Sequence, residues 1–185
     1  LPGIGGAIKC REEDFVVDEI PAYAPSGSGD HVFVRLEKRD MNTAFAVGKL
    51  ARALGVRDRD IGVAGQKDRR AITTQWLSLP PPITPEQVLA LELEGMKILE
   101  ATRHNHKLRT GHLRGNRFRL IVRNVTGDPD PVAHATAILA KLAEAPGAPN
   151  WYGEQRFGRA GDNAARGRAF VTGEAPQPRD RKQAR

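Results

Sequence analysis

One carboxylate surrounded by cations is the side chain in this sequence best suited to covalent chemistry. Asp68 stands directly between Lys67 and the pair Arg69-Arg70. Neighbouring positive charge favours the ionised form of a carboxyl group, and a carboxylate can act as a nucleophile. A surface turn held by ion pairs would show the same pattern, since such networks also perturb acids. The residue types and their spacing therefore leave both interpretations open.

Two predicted strands flank this acid. Residues 61–64 are apolar and predict a short buried strand. Residues 71–79 are rich in β-branched and aromatic side chains and stop at Pro80, which predicts a second, longer strand. Asp68 is therefore expected on a loop between two strands.

Four blocks, in order along nearly the whole chain, resemble the motifs of the TruD family of tRNA pseudouridine synthases. They are residues 65–76, which include Asp68, and residues 9–20, 113–118 and 149–158. The resemblance implies isomerisation of uridine to pseudouridine in transfer RNA, at uridine 13 of the D arm. In that reaction the C–N glycosidic bond breaks, the uracil turns, and a C–C bond forms to the same sugar. No net redox change occurs, so the resemblance implies no cofactor.

The resemblance also implies which residues act on the base. Asp68 is the expected nucleophile, and attack on the sugar and attack on the uracil ring both stay open. The target uridine must leave its stack, and is then held by aromatic stacking and base-edge hydrogen bonds. Phe15 and Asn116 are the expected contacts, and Phe118 would share a strand face with Asn116. Lys9 is the expected cationic partner of Asp68, and Lys67 is a second candidate. For each Phe, ordinary core packing is the competing interpretation.

The charge is distributed unevenly along the chain. Residues 1–100 carry 13 basic and 15 acidic side chains, whereas residues 101–185 carry 16 basic and 7 acidic ones. A basic half is typical of a polyanion-binding surface. Contacts to phosphate position RNA rather than read its sequence. The candidates for such contacts are Arg103, Lys107, Arg109, Arg114, Arg117, Arg119, Arg123, Arg156, Arg159, Arg166 and Arg168.

The order of the predicted elements favours an α+β fold. Residues 31–38 alternate, which predicts a strand with Val32 inward and Phe33 outward. Helices are expected over residues 43–54 and 131–145, and several strands follow one another without an intervening helix. The expected architecture is a mixed, mostly antiparallel sheet with flanking helices. The resemblance implies the same, the N-terminal part of the pseudouridine synthase catalytic core. In the second helix the stripe expected to be buried is Val132, Ala135, Ile138, Leu139 and Leu142.

The domain organisation follows from the length and from the resemblance. The 185 residues, 39% of them hydrophobic and 28% charged, suit a globular protein with one core. Residues 1–172 are expected to form the N-terminal portion of the catalytic domain. Residues 173–185 are expected to be a linker or tail towards a missing insertion domain and the remainder of that catalytic domain.

Several classes of protein and site fit the sequence poorly. No apolar run approaches the length of a membrane span, and the single Cys10 excludes an internal disulfide, as suits a cytoplasmic protein. His104 and His106 have no other metal ligands near them in sequence, so no metal is expected. Transfer RNA is the expected partner of a monomer, without membrane or small-molecule cofactor.

A non-catalytic RNA-binding module, or an inactive paralogue, is the alternative function. It would depend on the same basic half and aromatic residues. The intact Lys67-Asp68 loop discriminates against it, because a pure binding protein would not need the acid. A glycosidase based on Asp68 lacks a convincing second carboxylate.

Overall fold

A computed structural model of the chain describes residues 3–125, 129–149, 153, 157 and 161–174. The chain divides into two compact units, one of residues 2–131 and one that contains residues 132–185. In the first unit the strands are β1 (Ala7–Ile8), β2 (Phe15–Pro21), β3 (His31–Arg39), β4 (Gly62–Val63), β5 (Ile72–Leu79), β6 (Met96–His104), β7 (Leu113–Leu120) and β8 (Val122–Arg123). The helices are α1 (Thr43–Leu54), α2 (Pro85–Leu89), α3 (Pro131–Ala143) and α4 (Asn163–Thr172). None of the helices described is long and apolar enough to cross a membrane.

The main sheet has the strand order β6-β3-β5-β2-β7, and β4 pairs with β5. Strands β2 and β5 are parallel, while the other pairs in this sheet are antiparallel. Strands β1 and β8 form a separate antiparallel ribbon. The structure therefore confirms the expected α+β class with a mixed, mostly antiparallel sheet.

Helix α1 covers one face of this sheet. The Oδ1 atom of Asn42 accepts a hydrogen bond from the backbone N–H of Phe45 at 2.7 Å, which starts the helix. Gly55 ends it in the left-handed conformation, with φ 68°. Apolar side chains of the sheet, of this helix and of α2 form a core that makes the sheet a rigid platform. They include Val32, Val34, Leu36, Leu50, Ala51, Leu77, Leu79 and Val88.

Phe33 was expected to face outward, and this expectation is wrong. Its side chain is only 2% exposed and packs with Trp76 and Leu108 in a second cluster. Alternation predicts which residues share a face, but the chain around Leu108 covers the other face as well. The pattern of residues 117–125 also predicts a strand, whereas in the structure β7 begins at Leu113 and a short β8 follows it.

Helix α3 forms where predicted and ends at Ala143, but the expected burial of its apolar stripe is wrong. Val132 is 75% exposed and Leu139 is 66% exposed, and no residue described in the helix is buried. Helical periodicity creates an apolar face, whereas burial requires a partner surface. The described residues of the second unit do not supply one that covers this face.

Candidate functional site

Asp68 lies on the loop of residues 64–71, which joins β4 to β5. Neighbouring side chains hold the backbone of this loop from beneath. The Oγ1 atom of Thr43 accepts a hydrogen bond from the N–H of Lys67 at 2.9 Å, and the Nζ atom of Lys38 donates one to the carbonyl oxygen of Asp68 at 2.9 Å. The side chain of Asp68 is 49% exposed. Its peptide is therefore anchored while its carboxylate stays accessible.

The side chain of Lys67 is buried, unlike that of Asp68. Its Nζ atom lies 2.6 Å from the Oε2 atom of Glu19, and these side chains are only 4% and 1% exposed. The other carboxylate oxygen of Glu19 accepts a hydrogen bond from the backbone N–H of Trp76 at 3.0 Å. Water screens such a pair little. This buried ion pair therefore fastens the Asp68 loop to β2.

Lys9 approaches Asp68 from the solvent side. Its Nζ atom lies 3.6 Å from Oδ1 of Asp68 and 4.0 Å from the centroid of the Phe15 ring. The second distance is within the range of a cation–π contact. Lys9 has φ 55°, a left-handed conformation that is uncommon for residues other than glycine. The chain thus turns at Lys9, and the Lys9 side chain lies between the Asp68 carboxylate and the Phe15 ring.

A second ion pair fixes the segment that carries Lys9. The Asp14 side chain is fully buried and accepts hydrogen bonds from Nη2 of Arg123 at 2.7 Å and from Nε at 2.8 Å. These hydrogen bonds hold the pKa of Asp14 below its usual value. The pair joins the β1–β8 ribbon to the start of β2. Arg123, a candidate phosphate contact by sequence, is therefore engaged within the protein.

Phe15 and Phe118 form an aromatic pair beside Lys9. Their rings are nearly parallel, with centroids 5.9 Å apart and an angle of 7° between their planes. Phe118 is 59% exposed, so it is not an ordinary core residue. Asn116 is exposed as well. It shares a face of β7 with Phe118, since the two residues are two positions apart on the strand and lie opposite Glu19 and Val17 of β2.

The structure therefore brings all five sequence-predicted site residues to one region of the first unit. Asp68, Lys9, Phe15 and Phe118 follow one another in contact, and Asn116 lies two residues from Phe118 on its strand. An accessible carboxylate beside a cation and an exposed aromatic ring can attack an electrophile that stacks on that ring. The fourth sequence block, residues 149–158, lies largely outside the described residues.

Sequence reasoning missed two buried charged groups beneath this site, Lys38 and Glu19. Lys38 is 1% exposed and Glu19 is 6% exposed. The alternating pattern of β3 contained the signal for the first, because Lys38 continues the inward series that begins at Val32. Glu19 lies in the family-like block of residues 9–20, but the local sequence does not predict its burial, since its partner Lys67 comes from a distant loop.

His104 and His106 form a hydrogen-bonded pair rather than an open ligand set. The backbone N–H of Ser26 donates to Nδ1 of His104 at 3.1 Å, so in the neutral ring Nε2 carries the proton. This Nε2 lies 3.2 Å from Nε2 of His106 and can donate to it. Burial lowers the pKa of His104 and favours its neutral form. Within the described residues, no group of three or more His, Cys, Asp or Glu could hold a metal ion.

Comparisons with known proteins agree on one family. A family model described as tRNA pseudouridine synthase D (TruD) matches residues 1–177. A tRNA pseudouridine synthase D of Anaeromyxobacter dehalogenans (strain 2CP-C) is 56% identical over 174 residues, which are 94% of this chain and 48% of the relative. One of Thermus thermophilus is 47% identical over 171 residues, which are 92% of this chain and 47% of the relative.

The solved structures give the same result. A crystal structure from Methanosarcina mazei, named as a candidate tRNA pseudouridine synthase D (TruD), matches with a TM-score of 0.76 and 34% identity. The match covers 93% of this chain and 40% of that chain. This chain spans about half the length of the curated relatives it matches.

Proposed function

This chain belongs to the TruD family of tRNA pseudouridine synthases, and we propose that it carries the nucleophile for converting uridine to pseudouridine in transfer RNA. Because the chain spans about half of its relatives, the activity is proposed for the gene product that contains it. By family resemblance the proposed target is uridine 13 of the D arm.

One observation supports this proposal most strongly, the continuous contact from Asp68 through Lys9 and Phe15 to Phe118. A uridine that swings out of the RNA can stack on the exposed Phe118 ring. Asn116 offers both a donor and an acceptor, which suits the edge of uracil. The Asp68 carboxylate then stands beside the stacked nucleotide with a cation at its side.

The reaction balances without a cofactor. An oxygen of Asp68 forms a bond to the ribose C1′ or to the uracil ring, and the N1–C1′ bond breaks in the course of the reaction. The uracil rotates and its C5 bonds to C1′, the bond to Asp68 breaks, C5 loses its proton, and N1 gains one. Atoms and electrons are conserved throughout, since substrate and product are isomers.

The test uses the full gene product and an unmodified transfer RNA transcript. Carbodiimide labelling followed by primer extension should detect pseudouridine at position 13, and no label should appear there when uridine 13 is replaced by cytidine. A protein that shifts the transcript on a gel but forms no pseudouridine would be a non-catalytic RNA-binding module, and the proposal would fail.

Replacing Phe118 by alanine is expected to raise KM for transfer RNA about 5- to 150-fold, because stacking of one base on an aromatic side chain contributes about 1–3 kcal/mol. The melting temperature should change little, since Phe118 is 59% exposed. Steady-state kinetics with the full gene product measure the effect. Leu99→Ala is the matched control, because Leu99 is a 37% exposed apolar residue on β6, at the opposite edge of the sheet. Equal KM changes in both variants would contradict the stacking role.

A further inference from the structure

Lys38 is a buried cation directly beneath the proposed nucleophile. It is 1% exposed, and its Nζ atom donates hydrogen bonds to the carbonyl oxygens of Met41 at 2.5 Å and of Asp68 at 2.9 Å. Among the described residues no carboxylate lies within ion-pair distance of it. Burying an ammonium group without a carboxylate partner costs free energy. The two hydrogen bonds to carbonyl oxygens offset part of this cost and hold the Lys38 side chain in its conformation.

The two carbonyl groups come from different parts of the chain. Met41 belongs to the connection between β3 and α1, whereas Asp68 belongs to the loop between β4 and β5. Lys38 therefore joins the start of the helix to the peptide that carries the reactive carboxylate. An apolar residue would complete the inward stripe of β3 equally well, but it would leave the carbonyl oxygens of Met41 and Asp68 without this donor.

Lys38 also shares a row of side chains with Phe118, one of the two rings of the aromatic pair. Across the sheet, Lys38 lies opposite Thr73, Thr73 opposite Val17, and Val17 opposite Phe118. Three strand spacings of about 4.8 Å separate the ends of this row, about 14 Å in total. The residue that anchors the Asp68 peptide is thus part of the same rigid sheet that presents Phe118, and it holds the nucleophile at a defined position relative to that ring.

We infer that Lys38 is a positioning residue for the reaction, which fixes the Asp68 peptide and supplies a buried positive charge beneath the carboxylate. This inference rests on the proposed function. Lys9 lies on the solvent side and can be displaced when phosphates approach, because it is 35% exposed. Lys38 is 1% exposed and donates to the loop itself, so its amine, when protonated, keeps a positive charge next to Asp68 while the loop is folded.

The electrostatic surroundings make this charge titratable near neutral pH. Burial lowers the pKa of Lys38 to about 8, Asp68 opposes this shift, and Lys67 adds to it. Lys67 is itself paired with Glu19 from β2. Above pH 8 the neutral amine keeps two N–H donors for its two carbonyl partners but loses its charge. The pH dependence therefore separates the effect of the charge from that of the hydrogen bonds.

The experiment measures single-turnover pseudouridine formation by the full gene product between pH 6.5 and about 9.5, which brackets that pKa. For the wild type we expect the rate to fall as pH rises through about 8. For Lys38→Met we expect a rate about 10- to 100-fold lower, without this decline and with transfer RNA affinity retained. Thr73→Val is the control, since Thr73 occupies the next place in the row and its buried hydroxyl has no hydrogen-bond partner within the described part of the chain.

Each outcome has a defined meaning. A wild type without any pseudouridine formation would refute the proposed function, and the inference with it. A wild type that is active but shows no decline near pH 8, or a Lys38→Met variant with the same decline, would overturn the role of Lys38 alone. The pH profile of the wild type requires no variant, so it tests the role of Lys38 even if Lys38→Met does not fold.

Thermal unfolding gives a readout of the same charge that does not depend on catalysis. The pKa of Lys38 is about 8 in the folded protein, and that of an unfolded lysine is about 10.4. Between these pH values the unfolded state binds more protons than the folded state, so the contribution of Lys38 to the free energy of unfolding rises with pH. The melting temperature of the wild type should therefore rise relative to that of Lys38→Met between pH 8 and about 10.4. A constant difference would contradict a buried, charged Lys38.

Discussion

Replacing Asp68 by alanine is expected to lower the rate of pseudouridine formation by roughly 10⁴-fold or more, because the alanine side chain cannot form the covalent bond to the substrate. The carboxylate is 49% exposed, so its removal should leave the melting temperature nearly unchanged. Transfer RNA binding should survive, since the change removes an acid from a cluster of cations and leaves phosphate attraction intact. Single-turnover kinetics and filter binding with the full gene product measure both quantities.

The matched control for Asp68 is Asp40→Asn. Asp40 is also an exposed acid paired with a cation, with its Oδ1 atom 3.4 Å from Nε of Arg69 and its side chain 52% exposed. An asparagine tolerates its φ of 43°. We expect nearly wild-type turnover from this variant. Substantial turnover by Asp68→Ala would remove Asp68 as the nucleophile, while equal loss in both variants would indicate a general effect of charge.

The second large effect concerns the ion pair between Lys67 and Glu19. We expect Lys67→Met to lower the free energy of unfolding by about 3–5 kcal/mol, because it leaves the Glu19 carboxylate buried without its cation. Activity should fall as well, since this pair fastens the Asp68 loop to β2. Denaturant unfolding followed by tryptophan fluorescence measures the loss. Trp76 is a suitable probe because it is buried and its backbone N–H donates a hydrogen bond to Glu19.

A double variant separates the ion pair from simple loss of packing. Glu19→Gln retains an oxygen that can accept the hydrogen bond from Trp76, but it removes the charge that Lys67 neutralises. Combined with Lys67→Met, it should recover at least half of the lost stability. If the double variant were no more stable than Lys67→Met, the uncompensated charge would not be the cause.

The sequence shows the candidate nucleophile of this site within a motif, whereas it does not show the geometry around that residue. Residues 65–76 resemble a family block and contain the acid, so Asp68 could be selected without coordinates. The atoms around it come from distant segments, since Lys9 and Asp68 are 59 residues apart and Asp14 and Arg123 are 109 residues apart. Periodicity within a strand or helix carries no information about such distances.

Local signals determined most of the elements. The alternation of β3, the cap at Asn42 and the end at Gly55 depend on neighbours within a few residues, and the structure confirms β3 at His31–Arg39 and α1 at Thr43–Leu54. The resemblance determined the family, which the comparisons confirm.

Only the tertiary structure decided which charged side chains face inward. It buried Lys38 and Lys67, left Asp68 accessible, covered Phe33 and left the apolar stripe of α3 exposed. The physical reason is that burial depends on the surface packed against a residue, and that surface comes from elsewhere in the chain. The sequence by itself thus selected the proposed nucleophile and its local scaffold, while folding alone decided which cations surround it and from which side.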